Sequence, residues 1–352
     1  MSNKFKVGII GCGGISHSHL HGYRALSDRV EITACCDIDE EKAKEYAKRN
    51  GIARAYGSCE EMLANEKLDL CSVTTWNSAH VSCAVAALEA GCHVLCEKPL
   101  SLNADEALRM QSAARKAGKL LMPGFVRRHG NDAAAAIDLI EKGYLGEIYF
   151  AKATYLRRNG FPGGWFGDKS RSGGGPLIDL GVHIIDLTRY IMGNPKPVSV
   201  YGATFDKLGA RENIRTDGWV SETKTDRPIF DVEDLAVAMI RFDNGALLSV
   251  ETSFNLNLKH GANDIELFGT KAGLTLSPFE LHGELNNRLA DIALAGDNDF
   301  HFERDFDREM KNFVDAADGK ASPLATAEDG VQLMRILDAV YRSAETGETV
   351  FL

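Results

Sequence analysis

The chain has 352 residues, 44% of them hydrophobic and 26% charged, and a formal net charge of −10. This length suits two domains, and the composition allows a sizeable core without disulfide or metal staples. The acidic balance and the lack of a block rich in lysine and arginine argue against nucleic-acid partners. Since no apolar run in the sequence reaches the length that spans a bilayer, we also expect no membrane partner.

The N-terminus and the cysteines indicate a cytoplasmic protein. Residues Met1 to Lys6 lead directly into an apolar strand, whereas a signal peptide needs a longer apolar stretch and a cleavage site. All eight cysteines fall within the first 96 residues, and no two of them form a Cys-x-x-Cys pair. We interpret them as free thiols that act as small buried hydrophobes in a reducing compartment, rather than as disulfides or zinc ligands.

The first part of the chain alternates short apolar runs with helical patterns. Strands are expected at Phe5–Ile10, Glu31–Cys36, Leu68–Thr74, His93–Cys96 and Leu120–Met122. Helices are expected at Ile15–Ser27, Glu40–Arg49, Ala79–Ala90 and Ala104–Ala117. The alternation of nearly all-apolar strands with helices predicts a parallel sheet that is covered by helices on both faces.

After Gly124 the pattern changes, because longer strands replace the regular alternation. Helices are expected at Ala133–Glu141, from about Pro176 to Met192, at about Phe302–Ala317 and at about Ala327–Glu345. Strands are expected at Glu147–Tyr155, Val198–Phe205, Leu235–Phe242, Ala246–Phe254, Asp264–Phe268 and Leu274–Leu276. Hairpin turns are expected at Asp243–Gly245 and Thr270–Gly273. Several of these strands alternate apolar and polar residues, which is typical of an antiparallel sheet with one face on helices.

These patterns predict two α/β domains. Residues 1–124 are expected to form an N-terminal Rossmann dinucleotide-binding domain. Residues 125–352 are expected to form a C-terminal mixed α/β (α+β) domain with a large, mostly antiparallel open sheet, and the last helices could pack back on the first domain. The uncovered sheet face favours pairing with a second subunit, so we expect a homodimer or homotetramer through this sheet.

The first strand, turn and helix carry a dinucleotide-binding fingerprint. Gly11 permits the tight turn, Gly13 lets the backbone approach the pyrophosphate, and the helix N-terminus supplies N–H groups and a positive dipole end. Ser16 stands where a third glycine is usual and is small enough for close packing of the helix on the strand. The residues of this turn that we expect to bind the cofactor are Gly11, Cys12, Gly13, Gly14 and Ile15.

Asp37 ends the second strand, where an acidic residue binds the adenosine ribose hydroxyls. A carboxylate there repels a 2′-phosphate, and residues 38–40 are Ile-Asp-Glu, with no arginine to receive one. The sequence therefore favours NAD over NADP. The three histidines at 17, 19 and 21 are not interpreted as a metal site, because only His17 and His21 share a helix face and no suitably placed carboxylate is near. They are expected at the surface or near the cofactor, and no metal is expected.

Two later stretches carry a family resemblance. Residues 74–80 read TTWNSAH after a strand, and residues 90–100 read AGCHVLCEKPL. With the glycine turn and a later Asp-x-x-x-His, the whole chain resembles the glucose–fructose oxidoreductase / inositol dehydrogenase (Gfo/Idh/MocA) family, whose hallmark is Glu-Lys-Pro at the end of the fifth strand. Trp76 departs from the proline that is common before the asparagine, and it is expected to pack on the adenosine or the nicotinamide ribose.

The resemblance implies an NAD(P)-dependent dehydrogenase that acts on CH–OH groups. Lys98 is implied to lie between nicotinamide and substrate and to donate to the reacting oxygen. Glu97 and Asn77 are implied to hold the cofactor ribose, and the bond before Pro99 is often cis in the family. Thr75, Trp76 and His80 complete the expected cofactor contacts.

The family's catalytic lysine, aspartate and histidine map onto Lys98, Asp179 and His183. Asp179 and His183 are four residues apart and share a helix face. Oxidising an alcohol requires removal of the hydroxyl proton while hydride leaves carbon, and a histidine suits that role near neutral pH. We assign His183 as general base and Lys98 as the group that polarises the oxygen. Asp179 is expected to bind a neighbouring substrate hydroxyl or to orient His183.

The loop at Leu156–Gly175 mixes aromatic and charged residues, which suits a polyol ring with one apolar face and rimming hydroxyls. A solvated loop or a subunit contact is an equal alternative. The residues expected to bind substrate are Arg127, Arg157, Trp165, Asp179 and His183.

Three functions fit these features. The first is an NAD-dependent oxidoreductase that moves a hydride between a secondary alcohol carbon of a sugar, cyclitol or glycoside and the nicotinamide. The second is an NAD-dependent glycosidase or lyase that oxidises its sugar transiently and produces no net NADH. The third is a non-enzymatic NAD or sugar sensor, against which the intact Lys98, Asp179 and His183 count.

Overall fold

The computed structural model describes residues 4–211, 214, 220–221 and 229–352, so Met1 to Asn3 of the N-terminal segment lie outside it. The chain forms two compact units. The first unit comprises Met1–Val126 and Phe302–Met334, and the second comprises Arg127–His301 and Arg335–Leu352.

The elements are numbered along the chain. The strands are β1 (Phe5–Ile10), β2 (Val30–Cys36), β3 (Arg54–Tyr56), β4 (Leu70–Val73), β5 (His93–Glu97), β6 (Leu121–Gly124), β7 (Ile148–Leu156), β8 (Pro197–Phe205), β9 (Leu235–Phe242), β10 (Leu247–Ser253), β11 (Ala262–Gly269), β12 (Ala272–Leu276), β13 (Phe279–Leu285), β14 (Arg288–Ala293) and β15 (Val350–Phe351). The helices are α1 (Ser16–Arg24), α2 (Glu40–Asn50), α3 (Cys59–Asn65), α4 (His80–Glu89), α5 (Ala104–Ala117), α6 (Asn131–Glu141), α7 (Lys169–Ser172), α8 (Val182–Ile191), α9 (Phe302–Ala317) and α10 (Ala327–Thr346). A π-helical turn at Leu177–Gly181 leads into α8, and short 3-10 turns lie at Asn77–Ala79, Val126–His129 and Gly164–Gly167.

Within its described residues, the first unit is built on a six-stranded parallel sheet in the order β3-β2-β1-β4-β5-β6. Strand β4 is buried along its whole length, and β1 is buried from Val7 to Ile10. Helices α1 and α9 pack against each other, and the close approach depends on Gly22, where a side chain would meet Met310. The expected Rossmann topology is confirmed.

Local chemistry defines the helix ends in this unit. Asn103 begins α5 by accepting a hydrogen bond from the main-chain N–H of Glu106 at 2.9 Å. Gly118 ends the same helix in the left-handed conformation, with φ of 64°. An N-terminal asparagine and a C-terminal glycine satisfy the main-chain groups that a helix leaves unpaired at its ends.

In the described part of the second unit, nine strands form a sheet in the order β14-β13-β12-β11-β7-β10-β9-β8-β15. Neighbouring strands are antiparallel except for β7 and β10, which run parallel. Helix α8 packs against β7 and β11. The opposite face carries the exposed side chains of Tyr201 and Met239 and a stacked pair, Phe150 and Phe268, whose ring centroids lie 5.4 Å apart. The mostly antiparallel open sheet is therefore confirmed.

Six strands and helices were not expected from the sequence: β3, α3, α7, β13, β14 and β15. Strand β3 and helix α3 have three and seven residues, and such short elements show little periodicity. Strands β13 and β14 form a hairpin whose turn residues Asn286 and Asn287 both have positive φ, of 51° and 59°. The Asn-Asn pair suits this turn, since asparagine tolerates the left-handed conformation that such hairpins require.

All eight cysteines are free thiols and lie in the first unit. Seven of them are buried, which confirms that they act as small core side chains, and Cys83 is half-buried. In the described residues, no helix is both long enough and apolar enough to cross a membrane.

Candidate functional site

The turn after β1 is shaped to receive a phosphate. Gly11 has φ of +95°, and a Cβ there would lie 2.8 Å from the main chain of Thr74, so this position requires glycine. At Gly13, no described heavy atom lies within 4 Å of where a Cβ would be, which leaves open space beside the main chain at the start of α1. Ser16 is fully buried and its hydroxyl donates to the Gly13 carbonyl at 2.5 Å. The residues present therefore fit a pyrophosphate on the helix N-terminus.

Asp37 lies at the carboxyl end of β2 and faces this turn. Its carboxylate accepts hydrogen bonds from the main-chain N–H of Cys12 at 2.9 Å and of Asp39 at 3.1 Å. Lys42, on the first turn of α2, places its Nζ 3.2 Å from the Asp37 carboxylate. Residues 38–40 contain no cationic side chain, but Lys42, which follows them on α2, supplies one. A cation there weakens the repulsion of a 2′-phosphate, so the preference for NAD loses part of its support.

The segment after β4 lies at the same edge of the sheet. Thr75 and Trp76 are half-buried, and Asn77 is buried at the start of a 3-10 turn. His80 is buried, and its ring nitrogens lie 2.8 Å from the Pro99 carbonyl and 3.2 Å from the Thr75 carbonyl. Burial lowers the pKa of His80. Its ring therefore joins the loop after β4 to the loop after β5, and both loops carry expected cofactor contacts.

Glu97 ends β5 and is only 6% exposed. Its Oε1 lies 2.9 Å from Nε2 of His19, and its Oε2 accepts from the main-chain N–H of Lys98 at 3.1 Å. Burial opposes ionisation of Glu97, but the hydrogen bond and charge of His19, with the nearby Lys98, outweigh it and lower the pKa of Glu97. The carboxylate therefore fixes the main chain from which Lys98 projects.

The histidines of α1 have carboxylate partners that the sequence did not indicate, although His21 is exposed as expected. His19 is fully buried, with its Nδ1 3.1 Å from the Ser72 hydroxyl, and Ser72 also bonds Tyr23 at 2.8 Å. His21 bonds Asp307 at 2.8 Å. The expectation that no carboxylate lies near these histidines is wrong, because their carboxylates come from residues 78 and 286 positions away in the sequence.

Lys98 is half-buried, and the Lys98–Pro99 peptide bond is cis, as the resemblance implies.

In the second unit, Asp179 and His183 lie on one helical segment, and both are half-buried. The segment is not a uniform α-helix, since Asp179 lies in the π-helical turn and His183 lies in the first turn of α8. The main-chain N–H groups of Ile178 and Asp179 both donate to the Gly175 carbonyl, at 3.1 and 3.0 Å. Single turns of π type inside helices occur frequently at functional sites.

His183 lines a cavity of about 190 Å³ in the second unit. Arg127 also lines it, paired with Asp132 at 2.7 Å and with its guanidinium 4.5 Å from the centre of the Phe300 ring. The buried Nε of Arg127 makes no hydrogen bond to a described residue. The other residues that line the cavity are Asp132, Ile184, Leu187, Asn263, Asp264, Ile265, Leu276, Ser277, Asp299 and Phe300.

Three other expected substrate residues, Asp179, Arg157 and Trp165, do not line this cavity. Arg157 donates to the Gly160 carbonyl at 3.0 Å and lies over the ring of Tyr155. Trp165 stacks on Phe166, with ring centroids 4.1 Å apart. The structure thus brings Arg127 and His183 to one cavity, and places Arg157 and Trp165 elsewhere in the second unit.

Three exposed side chains, Asp297, Asp299 and His301, bring possible metal ligands within 4.8 Å of one another. We assign no metal to them, since exposed acidic groups commonly cluster without an ion and His301 bonds Asp297 at 2.8 Å.

Family models match both parts of the chain. Residues 5–125 match the oxidoreductase family with an NAD-binding Rossmann fold, GFO_IDH_MocA. Residues 133–275 match the GFO/IDH/MocA C-terminal domain.

Individual relatives match over the full length. The chain is 36% identical to D-glucoside 3-dehydrogenase of Escherichia coli K12, over 100% of this chain and 98% of the relative. It is 27% identical to myo-inositol 2-dehydrogenase of Thermotoga maritima, over 99% and 98%. The solved structure of a levoglucosan dehydrogenase in complex with NADH superposes with a TM-score of 0.85 at 25% identity, covering 99% of both chains.

Proposed function

Because the chain belongs to the GFO/IDH/MocA oxidoreductase family, which includes sugar and cyclitol dehydrogenases, we propose that it is an NAD-dependent dehydrogenase of a secondary alcohol carbon in a sugar, cyclitol or glycoside. Glycosides are the favoured class. The observation that carries this choice is the full-length identity of 36% to a D-glucoside 3-dehydrogenase, together with Lys98, Asp179 and His183 in this chain.

The cofactor would be held by residues of the first unit. The glycine turn and the N-terminus of α1 would bind the pyrophosphate, and Asp37 would bind the adenosine ribose. Asn77 and Glu97 would bind the other ribose. The remaining contacts would come from Cys12, Gly14, Ile15, Thr75, Trp76 and His80. NAD, when bound, would supply the hydride acceptor.

The chain's own residues would manage the proton. His183 would take the proton of the substrate hydroxyl as the carbonyl forms, and would return it in the reverse direction. Lys98 would donate a hydrogen bond to that oxygen and so favour its anionic form. Asp179 would hold a neighbouring hydroxyl or orient the His183 ring. Arg127 would bind substrate hydroxyls at the cavity that His183 lines, and Arg157 and Trp165 would contribute from the loop after β7.

We also propose NAD rather than NADP as the preferred cofactor, on the strength of Asp37. A homodimer or homotetramer through the second unit's sheet is supported by the exposed Tyr201 and Met239 and by the Phe150–Phe268 pair on its open face. An edge or face of this kind is normally covered by a partner.

The test is an absorbance screen for NADH. Methyl glucosides, free hexoses, uronic acids and inositols are each incubated with the enzyme and with NAD or NADP. We expect NADH formation with at least one glycoside and slower reaction with NADP. Consumption of a glycoside with no net NADH would replace this proposal with the transient-oxidation glycosidase or lyase, and binding without consumption of any sugar would replace it with a sensor.

A further inference from the structure

A buried carboxylate lies at the start of the helical segment that carries Asp179 and His183. Glu233 is 7% exposed and comes two residues before β9. Its Oε2 accepts from the main-chain N–H of Gly175 at 2.9 Å, and its Oε1 accepts from that of Leu177 at 3.2 Å. The first N–H groups of a helix have no acceptor within the helix. Glu233 supplies that acceptor on both sides of Pro176, which has no N–H of its own.

A second side chain holds the carboxylate from α10. The hydroxyl of Tyr341 donates to Oε1 of Glu233 at 2.9 Å. Burial and the neighbouring Glu233 raise the pKa of Tyr341, so its hydroxyl keeps the proton that it donates. Glycines allow the close approach, because a Cβ at Gly174 would overlap the Tyr341 hydroxyl and a Cβ at Gly175 would overlap the Glu233 carbonyl.

None of the described contacts of Glu233 is to a lysine or arginine. A carboxylate buried without a cation costs folding free energy. Three hydrogen-bond donors nevertheless bind this carboxylate, and two of them are main-chain N–H groups of the turn at 175–177. The carboxylate therefore holds the main chain of that turn in place. Gly175 connects Glu233 to Asp179. Its main-chain N–H donates to Glu233, and its carbonyl accepts the Asp179 N–H at 3.0 Å.

We propose that Glu233, held by Tyr341, is a positioning residue for Asp179 and His183. It fixes the first turn of their segment, and without it the two side chains lose the alignment that the reaction requires. This inference rests on the proposed roles of Asp179 and His183. A misplacement of about 1 Å in such a group lowers turnover by roughly a hundredfold.

The test uses Glu233→Gln with a matched control. The glutamine keeps the size and one acceptor oxygen but turns an NH₂ group toward one of the three donors. Asp234→Asn is the control, because Asp234 is the adjacent buried carboxylate, 2% exposed, and accepts from the main-chain N–H groups of Leu208 and Gly209 instead. Tyr341→Phe removes only the hydroxyl.

We expect Glu233→Gln to lower kcat by about ten- to a hundredfold, and Tyr341→Phe to lower it by roughly threefold. The Kd for NAD, which the first unit binds, should not change. Asp234→Asn should shift the melting temperature by a similar amount and leave kcat within about twofold of wild type. The proposal would be overturned if Glu233→Gln and Asp234→Asn had the same kcat, each measured per NAD-binding site.

A second measurement does not depend on turnover. The His183 signal in the NMR spectrum of histidine-labelled enzyme is assigned by its loss in His183→Ala. It should move in Glu233→Gln and stay in place in Asp234→Asn, and an unmoved signal in both would also overturn the inference. If His183→Ala and Asp179→Asn keep normal turnover, the proposed function fails, whereas if they lose turnover and Glu233→Gln does not, only the positioning role fails.

Discussion

Each of the two units uses a buried glutamate to hold the main chain beside a proposed catalytic residue, but the electrostatics are opposite. Glu97 accepts from the N–H of Lys98 and pairs with His19, and the neighbouring cationic groups overcome burial and lower its pKa. Glu233 accepts from Gly175, Leu177 and Tyr341, and there burial prevails over the hydrogen bonds and raises its pKa. A buried carboxylate can therefore hold the main chain in two ways. Cationic neighbours favour the ionised form of Glu97, whereas Glu233 has only neutral hydrogen-bond donors around it among the described residues.

Removing the groups that these glutamates support should have the largest effect. We expect Lys98→Ala and His183→Ala each to lower kcat by roughly a hundred- to ten-thousandfold, since each removes a group that acts on the reacting hydroxyl. The Kd for NAD, measured by fluorescence titration, should change little. Lys116→Ala and His260→Ala remove the same side chains from exposed positions and serve as controls. Near-normal turnover in either active-site variant would remove that residue from its role.

Replacing each glutamate by glutamine should change the free energy of unfolding by different amounts. Glu97→Gln removes the buried carboxylate that lies 2.9 Å from Nε2 of His19, so we expect the free energy of unfolding of the first unit to fall by about 3–5 kcal/mol. Glu233→Gln should cost about 1 kcal/mol or less, because it also removes a charge that is buried without a cation. Calorimetry of both variants measures the difference. Equal losses would mean that the two carboxylates are stabilised in the same way.

The carboxylate of Asp37 offers a third case, because it is paired with the partly exposed Lys42. We expect Asp37→Ala to lower the ratio of kcat/KM for NAD to that for NADP by about tenfold or more. In the double variant Asp37→Ala, Lys42→Ala, the gained NADP activity should disappear, since Lys42 then no longer receives the 2′-phosphate. An unchanged cofactor ratio in Asp37→Ala would remove Asp37 from the ribose site.

The smallest expected effect is a difference in pH dependence. The pKa of Glu97 is lowered from its ordinary 4.5, so its stabilisation is present above that value and is lost as the pH falls through the folded pKa. The pKa of Glu233 is raised, so its contribution is fully present below 4.5 and is lost as the pH rises through the folded pKa. Unfolding of wild type and both Gln variants from about pH 3 to pH 8 should show differences of opposite slope, below pH 4.5 for Glu97→Gln and above it for Glu233→Gln. Parallel slopes would contradict the opposite pKa directions.

Local patterns were sufficient to predict much of the fold. The apolar strands, the glycine turn and the alternating later strands are properties of short segments, and each led to the correct sheet. Strand β3 and helix α3 were not predicted because they are too short to show a hydrophobic periodicity. The π-helical turn at Leu177–Gly181 was not predicted, and its first main-chain N–H donates to Glu233, which lies 56 residues further along the chain.

The supporting residues of the candidate site were the least visible in the sequence. His19 and Glu97 are 78 residues apart, and nothing in the spacing of the α1 histidines indicated their contact. Lys42 lies beyond the three residues that follow Asp37, and the first turn of α2 brings its side chain back to the Asp37 carboxylate. The proposed catalytic residues lie in motifs that the sequence shows. The residues that hold them in position come from distant segments, and only the packing of the folded chain brings them together.

The placement of the cysteines makes the two units distinguishable to a thiol reagent. The second unit has no cysteine in its sequence, and burial raises the pKa of the Cys96 thiol in the first. After fast alkylation of the half-buried Cys83, further labelling therefore reports the opening of the nucleotide-binding half alone. Cysteine labelling of the unmodified chain therefore measures the opening of the first unit and gives no signal from the second.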